Sequence, residues 1–133
     1  MKSALTICAP NVSQHAALTA MEKGENEIRK IVEIYDERRR YIMEALDGFG
    51  LTYVRPRGAF YVFATITPLL LPGETSFEFT KKFLADKHVL IFPGTIFGAS
   101  GEGYVRISLL QSTDKLREAM GRLSAYIKER RGV

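Results

Sequence analysis

The chain has 133 residues, of which 46% are hydrophobic and 26% are charged. This length and composition are typical of a single globular domain, which excludes disordered, collagen-like and low-complexity proteins. The formal net charge of +4 is mild, and no RNA-binding or zinc-finger motif accompanies it, so the sequence predicts no nucleic-acid partner.

The sequence also bears on location and metal binding. Its longest apolar runs are far too short to cross a bilayer, and the N-terminus lacks the apolar stretch of a signal peptide. The single cysteine, Cys8, cannot form an internal disulfide, and no cysteine and histidine cluster has zinc spacing. We therefore expect a cytoplasmic protein with no membrane partner and no metal site.

The first half of the chain is predicted to be mainly helical. Residues 12–21 have a helical composition that Gly24 ends. A second helix is predicted over 25–47, because its apolar residues recur three, four and seven positions apart on one face: Ile28, Ile31, Val32, Tyr35, Ile42 and Leu46.

The second half alternates between strands and helices. Thr75 and Glu78 have the spacing of a capping box, which predicts the start of a short helix. The predicted elements are, in order, an antiparallel pair of strands over 51–54 and 59–65, the short helix, a strand over 89–92, a glycine-rich loop over 93–103, a strand over 104–110 and a helix from 113 onward.

The element order is α-α-β-β-α-β-β-α, with no internal repeat. This order predicts an α+β two-layer sandwich, in which helices cover one face of a small, largely antiparallel sheet.

The strand over 104–110 contains the most informative candidate residue, Arg106. The two-residue period of a strand places Val105 and Ile107 on the core face and Arg106 on the opposite face. A guanidinium on a rigid strand can bind both oxygens of a carboxylate or phosphate. The alternative is a surface ion pair with a neighbour such as Glu102, and on spacing alone this is the simpler interpretation.

Other candidate motifs do not indicate chemistry. The glycine-rich loop lacks the Gly-Lys-Ser/Thr ending of a phosphate loop and is followed by a strand, so we expect its glycines to permit close backbone approach to another surface. Neither His15, His88 nor Cys8 has an adjacent acid or nucleophile signature. The residues alone therefore predict no catalytic, cofactor-binding or metal-binding group.

Three segments together resemble one family. Residues 56–63 (PRGAFYVF), 93–98 (PGTIFG) and 101–108 (GEGYVRIS) resemble the C-terminal part of class I/II aminotransferases, the pyridoxal-phosphate enzymes of the aspartate aminotransferase fold. Residues 8–17 and the helix carrying Arg38 and Arg39 are similar to the segment that precedes it in that family. The resemblance extends over essentially the whole chain.

The resemblance implies a role for two residues. Arg106 would bind the α-carboxylate of an amino acid or 2-oxo acid substrate, which replaces the surface ion pair as the expected role. Phe97 would form a wall of the active-site cleft. The implied reaction is transamination, in which pyridoxal phosphate is the electron sink and a lysine forms the Schiff base and moves the α-proton.

The resemblance also implies that part of the enzyme is missing. The family's phosphate-binding loop, pyridine-facing aspartate and Schiff-base lysine all precede the segment present, and none of the eight lysines lies in a similar motif. We therefore expect residues 1–24 to be the remnant of a connection to a missing large domain, and 25–133 to be the small domain. Alone it would be inactive and bind no cofactor, and it is expected to form a homodimer.

Two other functions stay open on the sequence. One is a stand-alone regulatory module that binds small carboxylates through Arg106. The other is a basic RNA-binding α+β domain, which the charge permits and the motifs do not support.

Overall fold

The computed structural model describes residues 8–132 of the chain. Its four helices and four strands occur in the predicted order, α-α-β-β-α-β-β-α. They are α1 (Asn11–Lys23), α2 (Glu25–Gly48), β1 (Tyr53–Val54), β2 (Tyr61–Thr65), α3 (Ser76–Lys87), β3 (Phe92–Pro93), β4 (Tyr104–Ser108) and α4 (Thr113–Arg131). Within this part of the chain, no helix combines the length and apolar character needed to cross a membrane.

The chain divides into two compact units, Met1–Ile34 and Tyr35–Val133. In the described part of the first unit, no residue of α1 is buried. Residues 1–7, which include the apolar Leu5 and Ile7, lie outside the described residues. The division into a connecting segment over 1–24 and a small domain over 25–133 stays a prediction.

The second unit contains the sheet and the hydrophobic core. The sheet has the order β1-β2-β4-β3, and each neighbouring pair is antiparallel. One face is lined by Val62 and Ala64 of β2 and by Val105 and Ile107 of β4, all buried. The core on that face is completed by the helices, through Ile42, Leu46, Phe79, Phe83, Leu116, Met120 and Leu123. This confirms the predicted α+β architecture.

The end of α2 explains why β1 is shorter than predicted. Gly50 has a φ of +70°, and its N–H donates to the carbonyl oxygen of Asp47, while the N–H of Leu51 donates to that of Leu46. This is a Schellman motif, and the buried side chains of Leu46 and Leu51 give it the usual apolar contact. Leu51 therefore belongs to the helix cap, and the strand begins at Tyr53.

The edge strand β3 also differs from the prediction of a strand over 89–92. It pairs with β4 only at Phe92, opposite Arg106, and at Pro93, opposite Val105. His88 adopts the left-handed conformation and caps α3, so the residues after it leave the helix before they can join the sheet. Proline has no N–H to donate, which suits its position on an edge strand.

A buried charge cluster holds the end of α4 to the loop before α3. The Glu74 side chain is only 4% exposed, and its carboxylate pairs with Lys82 at 2.8 Å and with Arg130. Burial opposes ionisation of Glu74, but hydrogen bonds from Lys82 and from the Leu71 N–H, together with the charge of Arg130, lower its pKa below the ordinary value. The cluster therefore stabilises the fold only while Glu74 is ionised.

We expect Glu74→Gln to lower the free energy of unfolding by about 1–3 kcal/mol at pH 7, because it leaves Arg130 buried beside a neutral group. A group whose pKa is lowered by folding contributes stability above its unfolded pKa, so the loss should shrink as the pH falls below about 4. Urea unfolding followed by circular dichroism at pH 7 and pH 3 measures both effects.

The matched control for this prediction is Glu118→Gln, which removes an exposed carboxylate that pairs with Arg122 one helical turn away. It should cost less than about 0.5 kcal/mol. Equal losses in the two variants, or a Glu74→Gln loss that is the same at both pH values, would contradict the role given to the cluster.

Candidate functional site

The candidate site lies on the face of the sheet opposite the core. In β4 the side chains of Val105 and Ile107 are buried, and Arg106 between them points to the other face. Because β4 is an inner strand, Arg106 has a neighbour on both sides: Phe63 of β2 and Phe92 of β3 stand opposite it in register. The strand alternation therefore places one cation within an aromatic surface.

Aromatic rings cover the guanidinium of Arg106. Its central carbon lies 3.8 Å from the ring centre of Phe97, 4.0 Å from that of Tyr61 and 5.6 Å from that of Phe92. These distances are within the range of cation–π attraction. Rings stacked on a guanidinium contact its faces, whereas its N–H groups point outward in its plane. The rings thus restrict the plane of the guanidinium, and they do not accept hydrogen bonds from its N–H groups.

No acidic side chain neutralises Arg106 in the described part of the chain. Its side chain takes part in none of the ion pairs or side-chain hydrogen bonds found among residues 8–132, and its Nε atom is buried with no hydrogen-bond partner there. A buried donor without a partner is costly, and a half-buried cation of this kind is chemically suited to bind an external anion.

Glu102, the neighbour that spacing offered as a partner for Arg106, is bound elsewhere. Its Oε1 atom accepts hydrogen bonds from the N–H of Ser76 at 2.7 Å, from the Ser76 hydroxyl at 2.8 Å and from the N–H of Gly103 at 3.2 Å. The Ser76 N–H, then the Ser76 hydroxyl and the Gly103 N–H lower the pKa of Glu102. The ion pair considered from sequence is therefore absent from the structure.

Phe97 reaches Arg106 because the glycine-rich loop folds back on itself. The loop forms two short 3-10 turns, Gly94–Phe97 and Ala99–Gly101. The backbones of Gly94 and Gly101 touch so closely that a Cβ atom on either one would overlap the other. The sequence predicted that these glycines permit close approach to another surface, and that surface is the loop itself. The Phe97 side chain remains 46% exposed beside the cation.

Tyr61 is the site residue that sequence analysis missed. It lies on β2 opposite Ser108 of β4, two pairs along the ladder from Arg106 and therefore on the same face of the sheet. The signal was available, since alternation puts Tyr61 and Phe63 on the face opposite Val62 and Ala64. The register between β2 and β4, which brings Tyr61 to Arg106, could not be read from either strand alone.

The described residues do not fit the cofactor that the resemblance implies. A lysine that carries pyridoxal phosphate would have to approach the face that bears Arg106. Every lysine between residues 8 and 132 lies on a helix: Lys23, Lys30, Lys81, Lys82, Lys87, Lys115 and Lys128. None of these lysines lies on a strand or on the glycine-rich loop, so the elements that carry Arg106 and Phe97 contain no residue that could form the Schiff base.

Comparison with known proteins agrees with this assignment of the fold. Residues 1–123 match the family model described as aminotransferase class I and II. A probable N-acetyl-LL-diaminopimelate aminotransferase of Bacillus subtilis is 40% identical over 124 residues, which are 93% of this chain and 31% of that protein. An aspartate aminotransferase of Pyrococcus abyssi is 37% identical over 126 residues, 93% of this chain and 32% of that protein.

A solved structure agrees as well. Alanine aminotransferase from Pyrococcus furiosus superposes with a TM-score of 0.87 at 30% identity, over 96% of this chain and 32% of that one. The chain thus spans about a third of the length of the relatives it matches. The family match over nearly the whole chain and the shared fold lead to one conclusion: this chain belongs to the class I and II aminotransferases.

Proposed function

We propose that this chain is the C-terminal domain of a pyridoxal-phosphate-dependent aminotransferase, of the aspartate aminotransferase kind, and that Arg106 binds the α-carboxylate of its amino acid and 2-oxo acid substrates. The observation that carries the proposal is the Arg106 guanidinium, which lies against the rings of Tyr61 and Phe97 and has no acidic partner in the described chain. Phe97 forms the adjoining wall of the cleft.

The chemistry of the receptor suits a carboxylate. A guanidinium can donate two parallel N–H groups to the two oxygens, and such charge-assisted pairs are stronger than neutral hydrogen bonds. The aromatic contacts restrict the rotation of the guanidinium before the ligand arrives, so less conformational entropy is lost on binding. The half-buried position also weakens competition from water.

The names of the relatives support a receptor for the group that amino acids share. Among them are enzymes named for aspartate, for aromatic amino acids and for LL-diaminopimelate. These amino acids have different side chains, but all carry an α-carboxylate. A residue that binds the shared group is therefore compatible with every one of these specificities.

We further propose that the remaining chemistry comes from a large domain outside this chain. Pyridoxal phosphate would supply the electron sink there, and this chain would hold the substrate by its carboxylate and so orient its Cα–H bond. Alone it would be inactive and bind no cofactor. A cytoplasmic location stays a prediction, and so does the alternative of a regulatory module that binds small carboxylates.

The isolated chain should bind succinate weakly and saturably at Arg106. We expect the side-chain Nε–Hε resonance of Arg106 to shift on titration in NMR spectra of chain labelled with ¹⁵N-arginine. Arg106→Ala should abolish saturable binding, and Arg106→Lys should raise the Kd at least about tenfold, because an ammonium cannot make the two-pronged contact.

The control variant is Arg117→Ala, which removes the same charge from an exposed arginine that lies over a single ring, Tyr41, at 5.1 Å. It should leave succinate binding unchanged. If it weakens binding as much as Arg106→Ala does, the ligand is responding to net charge and the proposed receptor is wrong.

We also propose that the chain forms a homodimer. Val12 and Met21 of α1 are 80% and 86% exposed, and no residue of that helix is buried. Exposed apolar residues of this kind favour association with another copy, and exchange of an N-terminal helix would reuse contacts that the sequence already encodes.

Light scattering after size exclusion should therefore give the mass of a dimer or a higher oligomer. The double substitution Val12→Lys and Met21→Lys should shift the population toward monomer, because it replaces two exposed apolar side chains of α1 by charged ones. A wild-type chain that elutes as a compact monomer at all concentrations would refute the association.

A further inference from the structure

We propose that Glu102 is a positioning residue for the carboxylate receptor: it joins the turn that starts β4 to the first residue of α3, and so holds both Arg106 and the Phe97 loop in place. The inference rests on the proposed function of Arg106. Glu102 has no hydrogen bond or ion pair with Arg106 in the described structure, and we infer that it acts through the backbone between them.

The first step is the attachment to α3. Ser76, the first residue of that helix, is fully buried. Its N–H has no partner within the helix, because the first four N–H groups of any α-helix lack one. Glu102 supplies that partner at 2.7 Å and adds a second bond to the Ser76 hydroxyl. A carboxylate at this place also interacts favourably with the positive end of the helix dipole.

The second step is the residue that follows, Gly103, which is held from both sides. Its N–H donates to the Ser76 hydroxyl oxygen at 2.7 Å. Its carbonyl oxygen accepts from the N–H of Ile66 at 2.7 Å and from the hydroxyls of Thr65 and Thr67. Gly103 has a φ of +81°, and a Cβ atom there would collide with Thr67. The chain therefore enters β4 in one fixed conformation.

The third step connects this turn to the receptor. Arg106 lies four residues after Glu102, about 13 Å along an extended strand. On the other side of Glu102 is Gly101, whose backbone contacts Gly94 at the start of the turn that carries Phe97. Glu102 thus lies in sequence between the loop that carries Phe97 and the strand that carries Arg106. It is attached to α3, which contains neither residue.

The capping box of α3 provides a matched control. Glu78 is a second carboxylate at the same helix start, and it accepts from the N–H of Thr75 at 2.9 Å and from the Thr75 hydroxyl. It does not bond to Gly103. Loss of Glu78 should weaken the helix start without freeing the turn before β4, whereas loss of Glu102 should affect both.

The test uses the Arg106 Hε resonance of the ligand-free chain, because nearby aromatic rings shift a proton that lies over them. In Glu102→Ala we expect the chemical shift to move toward the value of an exposed arginine and the Kd for succinate to rise at least about tenfold. The far-ultraviolet circular dichroism spectrum should stay the same, because the chain remains folded. Glu102→Gln should restore most of both, because its amide oxygen can still accept from Ser76. Glu78→Ala should change neither.

The proposal is overturned if Glu102→Ala leaves the Arg106 shift intact, or if Glu78→Ala alters it as much. Should Glu102→Ala fail to fold, Glu102→Asp decides, because its shorter side chain draws the carboxylate away from Ser76: a shift reduced in Glu102→Asp and kept in Glu78→Ala supports the role, and equal spectra in these two variants refute it. Failure of the wild-type chain to bind succinate would refute the function of Arg106, whereas the ligand-free shift tests positioning separately.

Discussion

The two-residue alternation of β4 is the constraint on which the rest of the structure depends. Val105 and Ile107 have to be buried, because the helices pack on that face of the sheet. Arg106 is therefore forced to the opposite face, in a strand with a neighbour on each side. A shift of one residue in register would exchange the faces, placing a cation in the core and apolar side chains outside. The alternation of β4 thus determines both the packing of the core and the side of the sheet on which Arg106 lies.

The guanidinium that we propose as the receptor has aromatic contacts in place of an ion pair among the described residues. An internal carboxylate on Arg106 would satisfy the guanidinium and compete with any external ligand. The rings of Tyr61 and Phe97 instead hold its plane and leave its outward N–H groups available. Glu102, the carboxylate closest to Arg106 in sequence, is engaged by Ser76 and Gly103 and does not neutralise the cation.

The features that sequence analysis predicted correctly are those encoded locally. The capping box of Thr75 and Glu78 needs only four consecutive residues, and it is present with both of its bonds. The apolar spacing of α2 and the alternation of β4 likewise depend on one element each, and both elements were predicted. The α+β class followed from the order of these elements.

The features that were missed depend on residues far apart in the chain. The contact between Tyr61 and Arg106 requires the β2–β4 register, and the bond between Ser76 and Glu102 links residues 26 positions apart. Glu102 was considered as a partner for Arg106 because it is close in sequence, but its carboxylate is bound by Ser76 and Gly103. Arg106 could thus be named as the candidate residue from sequence, whereas the groups that contact it required the structure.

The most direct test of the receptor is a crystal structure of the chain grown with succinate. The account predicts a carboxylate with both oxygens within hydrogen-bond distance of the two terminal nitrogens of Arg106, and the rings of Tyr61 and Phe97 still against the guanidinium. A structure in which succinate binds elsewhere, or in which Arg106 has turned to pair with an acidic side chain of its own chain, would contradict it.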